Sequence, residues 1–258
     1  MSDKLLIRDV MTKAMTIAKS AKITEALDRM LAEAVDPLIV TNNGDVVGTV
    51  SRKAIAEKLG AKRASNVAPT AIHVANCLEN DFTSVYPDQS VDILVPLLQH
   101  YKLVVVLDAD HRLLGQVGLG DLLRVMEPDC SIDDVLVPVY TIQADERVVH
   151  LRRRMLDDGI SKFVVNDGDQ LLGIVTETDV ARSIVAFKEV VEEKYQDHRI
   201  RNLLVRDIMS APLICADHED GISPLVELMQ KKKISSLPVA ERGRIIGMVT
   251  RESLVKAL

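Results

Sequence analysis

The chain contains no tryptophan, three phenylalanines and four tyrosines, so aromatic residues make up 3% of its 258 positions. So small a supply leaves little with which to build a stacking platform for single-stranded nucleic acid. Long apolar runs are also missing. The densest, Leu103 to Leu107, is the size of a strand, far short of the eighteen or so residues that a membrane span needs. The opening MSDKLLIRDV has neither a long apolar stretch nor a small-residue cleavage site, and a cytoplasmic location is expected. Cysteine is scarce: Cys77, Cys130 and Cys215 are isolated and odd in number. They show none of the close pairing of metal or redox motifs and read as ordinary buried or half-buried thiols. The histidines, His73, His100, His111, His150, His198 and His218, are scattered without metal-ligand spacing. There is no P-loop, nucleophile elbow, paired carboxylates on a predicted cleft or Rossmann glycine pattern. A binding module is therefore expected rather than an enzyme, with no metal and no resident cofactor.

What is present describes a folded globular chain: 47% hydrophobic residues, 27% charged residues and a formal net charge of -6. The acidic balance disfavours nucleic acid as the main partner, because phosphate binding needs a basic face, and no membrane partner is expected. Basic runs occur at Arg152-Arg153-Arg154 and Lys231-Lys232-Lys233. Both fall on predicted helices, where a charge run is usually the solvated face.

Self-similarity is the main signal. An anchor of the form apolar-Gly-apolar-apolar-small occurs four times, as Val47-Gly48-Thr49-Val50-Ser51, Leu114-Gly115-Gln116-Val117-Gly118, Leu172-Gly173-Ile174-Val175-Thr176 and Ile246-Gly247-Met248-Val249-Thr250. The glycines lie 67, 58 and 74 residues apart, which suggests a unit of about sixty residues plus variable linkers. A second anchor opens each unit: Arg8-Asp9-Val10-Met11, Ser65-Asn66-Val67-Ala68, Asp133-Asp134-Val135-Leu136 and Arg206-Asp207-Ile208-Met209.

Between the anchors every copy has an amphipathic helix. Its apolar face is Ile23, Ala26, Leu27 and Met30; Val91, Leu94, Val95 and Leu98; Val148, Leu151 and Met155; or Ile222, Leu225, Val226 and Met229. Asp145 and Glu146 look like a cap and first turn, Gly159 like a helix stop, and Pro96 should kink or shorten its helix. A short apolar strand follows at Pro37 to Val40, Leu103 to Leu107, Phe163 to Val165 and Leu237 to Val239, then a polar turn and the strand bearing the glycine anchor. The last helix of the third copy should run from about Asp179 to Gln196 and double as a linker. The expected fold is α/β (α+β), four tandem β-α-β-β-α repeats at 1–62, 63–130, 131–200 and 201–258. Units this small should pack in pairs, giving modules 1–130 and 131–258.

This layout resembles the CBS domain family, whose domains pair into Bateman modules, and is similar to its stand-alone regulatory members and to the γ subunit of AMP-activated protein kinase. The resemblance implies two modules in a disc-like arrangement, within one chain or through a homodimer. It also implies an adenosine-containing ligand and a regulated protein target. The family's nucleoside signature, Gly-apolar-apolar-Thr/Ser-x-x-Asp/Asn, is complete in copy three, from Gly173 through Thr176 to Asp179. A carboxylate at a helix N-terminus can accept hydrogen bonds from both ribose hydroxyls, and the threonine hydroxyl can reach the same sugar or a phosphate. Copy one has Ser51 but Ala54, copy four Thr250 but Ser253, and copy two Asp121 but Gly118. The resemblance therefore implies one good site, a doubtful second site at Asp121 and two degenerate ones.

Phosphate contacts are implied from the partner copy, just ahead of Ile234-Ser235-Ser236-Leu237-Pro238-Val239, where Lys232 and Lys233 stand. Glu33 and Ala34 occupy the matching positions opposite Asp121 and would repel phosphate. Adenine contacts are implied near Leu136, Pro138 and Val139 or near Met209 and Ala211. Against these stand two plainer readings: Thr176 and Asp179 as helix caps, and the lysines as a solvated helix end. The ligand expected is AMP, ADP or ATP between copies three and four. S-adenosylmethionine or methylthioadenosine at the same place, or a ligand-free scaffold, are the alternatives.

Overall fold

The computed structural model describes residues 5–60, 69–190 and 202–258. Four three-stranded sheets follow one another along the chain. They are β1 Thr16–Ala18, β2 Leu38–Asn42 and β3 Asp45–Val50; β4 Thr83–Val85, β5 Leu103–Leu107 and β6 Leu113–Gly118; β7 Thr141–Gln143, β8 Lys162–Asp167 and β9 Gln170–Thr176; β10 Ala216–Asp217, β11 Ser236–Glu241 and β12 Arg244–Thr250. In each, the first strand pairs parallel with the second and the second antiparallel with the third. A parallel pair needs a crossover, and the amphipathic helix supplies it. The middle strand is covered on both faces, which is why Leu38, Ile39 and Val40, and likewise Phe163, Val164 and Val165, are an unbroken buried run rather than an alternating one. In the first copy the hairpin turns at Asn43 (φ 53°) and Gly44 (φ 95°), the positive-φ pair that matches strand twist.

The crossover helices bury the predicted faces, for example Ile23, Ala26, Leu27 and Met30 on Ile23–Ala32 and Ile222, Leu225, Val226 and Met229 on Ile222–Lys231. Pro96 does shorten its helix: Val91–Ile93 is a 3-10 turn and the α-helix proper is Leu94–His100. Gly159 ends Val148–Asp158 in the left-handed conformation, φ 68°. That helix starts later than expected, since its cap position is Arg147 with no side-chain cap bond, and Asp145 and Glu146 belong to the preceding turn. The last helix of copy three is Glu177–Val190; its expected continuation toward Gln196 lies outside the described residues. Cys77 is buried, with its thiol pushed up to about 11 by burial, and Cys130 and Cys215 are half-buried. Among the described residues no helix is long and apolar enough to cross a membrane.

The anchor glycines have a common structural reason. Each glycine-bearing strand forms a backbone bridge with the opening segment of the other repeat in its module. Thr49 bridges Glu79 and Thr12 bridges Gln116, while Ile174 bridges Ser210 and Val137 bridges Met248. A Cβ at Gly48 would stand 2.3 Å from the Glu79 carbonyl oxygen and one at Gly173 2.3 Å from that of Ser210. Openings are thus exchanged within each module. Copies one, three and four open with the predicted segments, at Ile7–Val10, Ile132–Val135 and Val205–Asp207. Ser65–Ala68 lies outside the described residues. In copy two the equivalent turn is Val74–Cys77, where the Asn76 side chain accepts from the His73 amide as Asp9 does from Leu6.

Two cores result, and each runs across the modules. One joins copies two and four through residues such as Leu94, Val117, Leu122, Leu225, Val249 and Leu254. The other joins copies one and three through Ile23, Val50, Ile55, Leu151, Phe163 and Val175. The helix Arg52–Gly60 packs on Glu177–Val190, and Arg251–Lys256 packs on Leu94–His100 and Leu119–Leu122. Bridges hold copies one to two and three to four, and helices hold one to three and two to four, so the repeats close a four-membered ring.

Replacing Gly173 with Ala should cost about 1–3 kcal/mol, because the new methyl group collides with backbone rather than with a movable side chain. Gly118→Ala, whose added Cβ meets nothing closer than 3.6 Å, should be neutral or stabilising by up to about 1 kcal/mol. Urea-unfolding midpoints of the two variants check the ordering.

Candidate functional site

All four copies line one cavity of about 870 Å³ at the centre of the ring. Its walls begin with local capping chemistry. In copy three the Asp179 carboxylate accepts from the Thr176 amide and hydroxyl through Oδ2, both at 2.7 Å, and from the Ser210 hydroxyl through Oδ1 at 3.1 Å. The cap bonds fix the carboxylate, and its second oxygen stands beside the opening segment of copy four. Capping and ligand binding are therefore compatible roles for this residue. In copy two, Asp121 Oδ2 accepts from the Gly118 amide at 2.9 Å and the Thr12 hydroxyl at 3.3 Å, while Oδ1 takes Arg124 at 3.1 Å.

Copies one and four spend their hydroxyls differently. Ser51 Oγ accepts from the Ala54 amide, and Thr250 and Ser253 cap each other reciprocally. None of these four residues lines the cavity, whereas Thr176, Asp179 and Asp121 do.

The other singled-out positions divide. Lys233 and Ser235 line the cavity, Lys233 in the left-handed conformation at φ 54°, and Ser235 gives its carbonyl to the Arg251 amide at 3.0 Å. Lys232 is exposed and outside the lining. Gly173 is buried behind it, serving the bridge to Ser210. Pro138 and Val139 do not line it either, because the exchange of openings sets Val137 against Met248 in copy four. The segment that faces Asp179 is the opening of copy four, where Ser210, Pro212 and Ile214 line the wall.

Sequence reasoning missed the cations at the centre. Lys102 stands just before β5 and Lys162 opens β8, one register position apart, and Arg52 and Arg251 occupy equivalent positions at the start of closing helices; all four line the cavity. Their shared location follows from ring closure, and the only prior signal is that the two arginines recur at matching repeat positions. The lining carries eight Lys or Arg and six Asp or Glu side chains, a cationic excess inside an acidic chain. Burial pushes the Lys162 ammonium down, Glu252 opposes this and Lys102 adds to it; burial pushes the Glu177 carboxyl up, against Lys102 and Lys53. Arg52 Nε and Glu252 Oε2 are buried without a hydrogen-bond partner among the described residues. Cations held in partly desolvated surroundings are poised for an anion. Among the described residues no cluster of three or more His, Cys, Asp or Glu could hold a metal ion.

Four copies of one unit thus close on a shared polar cavity. The CBS domain model matches residues 7–61, 74–128, 132–186 and 205–258, and the chain belongs to the CBS domain family. An uncharacterized protein of Methanocaldococcus jannaschii, MJ1404, is 21% identical over 262 residues, which cover 97% of this chain and 61% of that one. MK0525 of Methanopyrus kandleri, also uncharacterized, is 31% identical over 120 residues, 46% of this chain and 57% of that one. The chain thus spans about three fifths of the length of these relatives. MJ1225 of M. jannaschii is 23% identical over 267 residues, covering 95% of each chain. Its crystal structure matches with a TM-score of 0.79 at 21% identity, over 98% of this chain and 99% of that one. At that identity the likeness speaks for the fold.

Lys162 carries a cost that a ligand would relieve. Lys162→Met should leave the ligand-free protein more stable by about 1 kcal/mol at neutral pH. The depressed ammonium makes the folded state release a proton that the unfolded state keeps, so wild-type stability should rise relative to the variant as pH climbs toward the ordinary lysine value of 10.5. Thermal melts of both proteins across that range check the sign.

Proposed function

We propose that this protein is a ligand-sensing regulator that binds an adenine nucleotide, AMP, ADP or ATP, between copies three and four and relays occupancy to a protein target. The observation that carries this reading is the Thr176–Asp179 pair, a preformed carboxylate opening onto a cavity of about 870 Å³ with excess cationic charge. Cavities of a few hundred to about a thousand Å³ suit ligands of this size. In the geometry proposed, Asp179 accepts from the ribose hydroxyls, Ser210 and Pro212 flank the nucleoside, and Lys233 and Lys162 face the phosphate. The regulatory role is supported by family membership. MJ1225 is described as a proposed archaeal homolog of γ-AMPK, and the reading extends a role of that kind to this chain. Relay to a target requires two states of the ring with different ligand affinity, and the cross-module cores give the ring interfaces that can repack. The Asp121 side, bordered by Glu33 and Asp36, is a poorer place for a phosphate.

A thermal-shift panel of AMP, ADP, ATP, S-adenosylmethionine and methylthioadenosine tests the reading. A nucleotide at a hundred times its dissociation constant should add about 2.7 kcal/mol to stability, and Asp179→Ala should abolish the gain. Stabilisation by S-adenosylmethionine or methylthioadenosine alone would change the ligand, and no stabilisation by any compound would leave a scaffold. The two lysines separate in the same assay. Lys233→Ala should weaken AMP roughly tenfold, the loss of one charge-assisted hydrogen bond, and Lys232→Ala by less than about twofold.

A further inference from the structure

Arg52 and Arg251 are equivalent residues, each the first of a closing helix, and each reaches across the ring to the other module. Arg52, in copy one, donates from Nη1 to the Thr178 hydroxyl of copy three at 3.0 Å. Its Nη2 donates to the carbonyls of Val35 at 3.2 Å and Met30 at 3.5 Å, and its own amide donates to Asp36 Oδ1 at 3.0 Å. Arg251, in copy four, lies over copy two: a Cβ on Gly120 would be 2.9 Å from its Nη1. Thr178 immediately precedes Asp179, and Gly120 immediately precedes Asp121. The residue that precedes each cap carboxylate therefore meets a guanidinium from the opposite module, and both guanidinium-bearing residues share the cavity with the carboxylates.

None of the ion pairs formed among the described residues uses either arginine, although Arg251 feels the charges of Asp121 and Glu252. Both guanidinium-bearing residues line the cavity, and Arg52 Nε is buried without a partner among the described residues. Partly buried positive charge acts on an anion through space with little water to screen it. It does nothing comparable for a neutral nucleoside.

We propose that Arg52 and Arg251 are specificity-determining residues acting in trans, each supplying positive charge to the phosphate of a ligand held at the cap carboxylate of the facing copy. A phosphate-bearing ligand then spans both modules, whereas the bare nucleoside contacts one. For the Asp179 side this rests on the nucleotide reading above.

Calorimetric titration of the full chain with AMP, adenosine and inorganic pyrophosphate tests it on the wild type, R52Q, R52K and R251Q. R52Q should weaken AMP by about tenfold and adenosine by less than about twofold, with R52K, which keeps the charge, losing less. R251Q should weaken pyrophosphate by a similar factor. Because Arg52 also ties two carbonyls of its own repeat, an R52Q protein that fails to fold leaves R52K and R251Q to decide, R52K by a loss larger for AMP than for adenosine. Equal losses for AMP and adenosine would make the arginine a structural brace and overturn the inference, as would variants that bind AMP and pyrophosphate like the wild type. A wild type that binds pyrophosphate through these arginines but neither AMP nor adenosine would keep the inference and overturn the nucleotide reading. A wild type that binds AMP and adenosine equally would overturn the inference alone, and one that binds none of the three would overturn both.

Discussion

Everything in this ring depends on two backbones approaching where no side chain can stand between them. At Gly173 the strand of copy three comes so close to the opening of copy four that the amide and carbonyl of the next residue, Ile174, exchange hydrogen bonds with Ser210, at 3.0 and 2.8 Å. A methyl group there would collide with the Ser210 carbonyl. The same geometry recurs at Gly48 and Gly115, while at Gly247 a Cβ would meet the Leu136 side chain at 2.8 Å and the Val137 carbonyl at 3.3 Å. Once these bridges form, each opening segment delivers its apolar residues to its neighbour's core. Ile7 and Val10 of copy one are buried in the cluster of copies two and four, and Val205 of copy four in that of copies one and three. The hydrophobic term, which dominates folding, thus acts on the ring as a whole.

The middle of the ring is where that term stops. Lysines, arginines and carboxylates converge there at partly desolvated positions, with orphaned polar atoms on Arg52 and Glu252. A centre optimised for stability would be filled with apolar side chains or with fully paired polar ones. Departures from local consistency tend to coincide with function, and here they coincide with the two cap carboxylates that the repeat pattern singles out.

Much of this was legible in the sequence. The four glycine anchors, the crossover helix faces and the continuous apolar middle strands depend on local periodicity, and the structure has them where the pattern puts them. Copy two departs from the pattern of the others. Ser65–Ala68, which the pattern picked as an opening, lies outside the described residues, and the turn equivalent to the other openings is His73–Cys77, with an Asn76 cap where the other copies have aspartates. At the candidate site, Thr176, Asp179, Lys233 and Ser235 were legible from one repeat's motif and its neighbour's strand. Pro138 and Val139 lie outside the cavity lining, and the exchange of openings sets the neighbouring Val137 against Met248 of copy four. Lys102, Lys162, Arg52 and Arg251 come from four different copies, and nothing short of ring closure shows that they meet.

Because each core is divided between modules, the polypeptide connecting them does more than join two finished bodies. Either half alone would present the exposed face of two incomplete cores. Tying the halves into one chain turns what would be an encounter between two molecules into an intramolecular closure at high effective concentration. It also fixes which half meets which, so the two sides of the cavity can diverge. A ring assembled from two identical halves would have to carry the same chemistry on both sides. In this chain one side has Lys233 and Ser235 where the other has Ala34 and Asp36, a lopsidedness that covalent connection preserves.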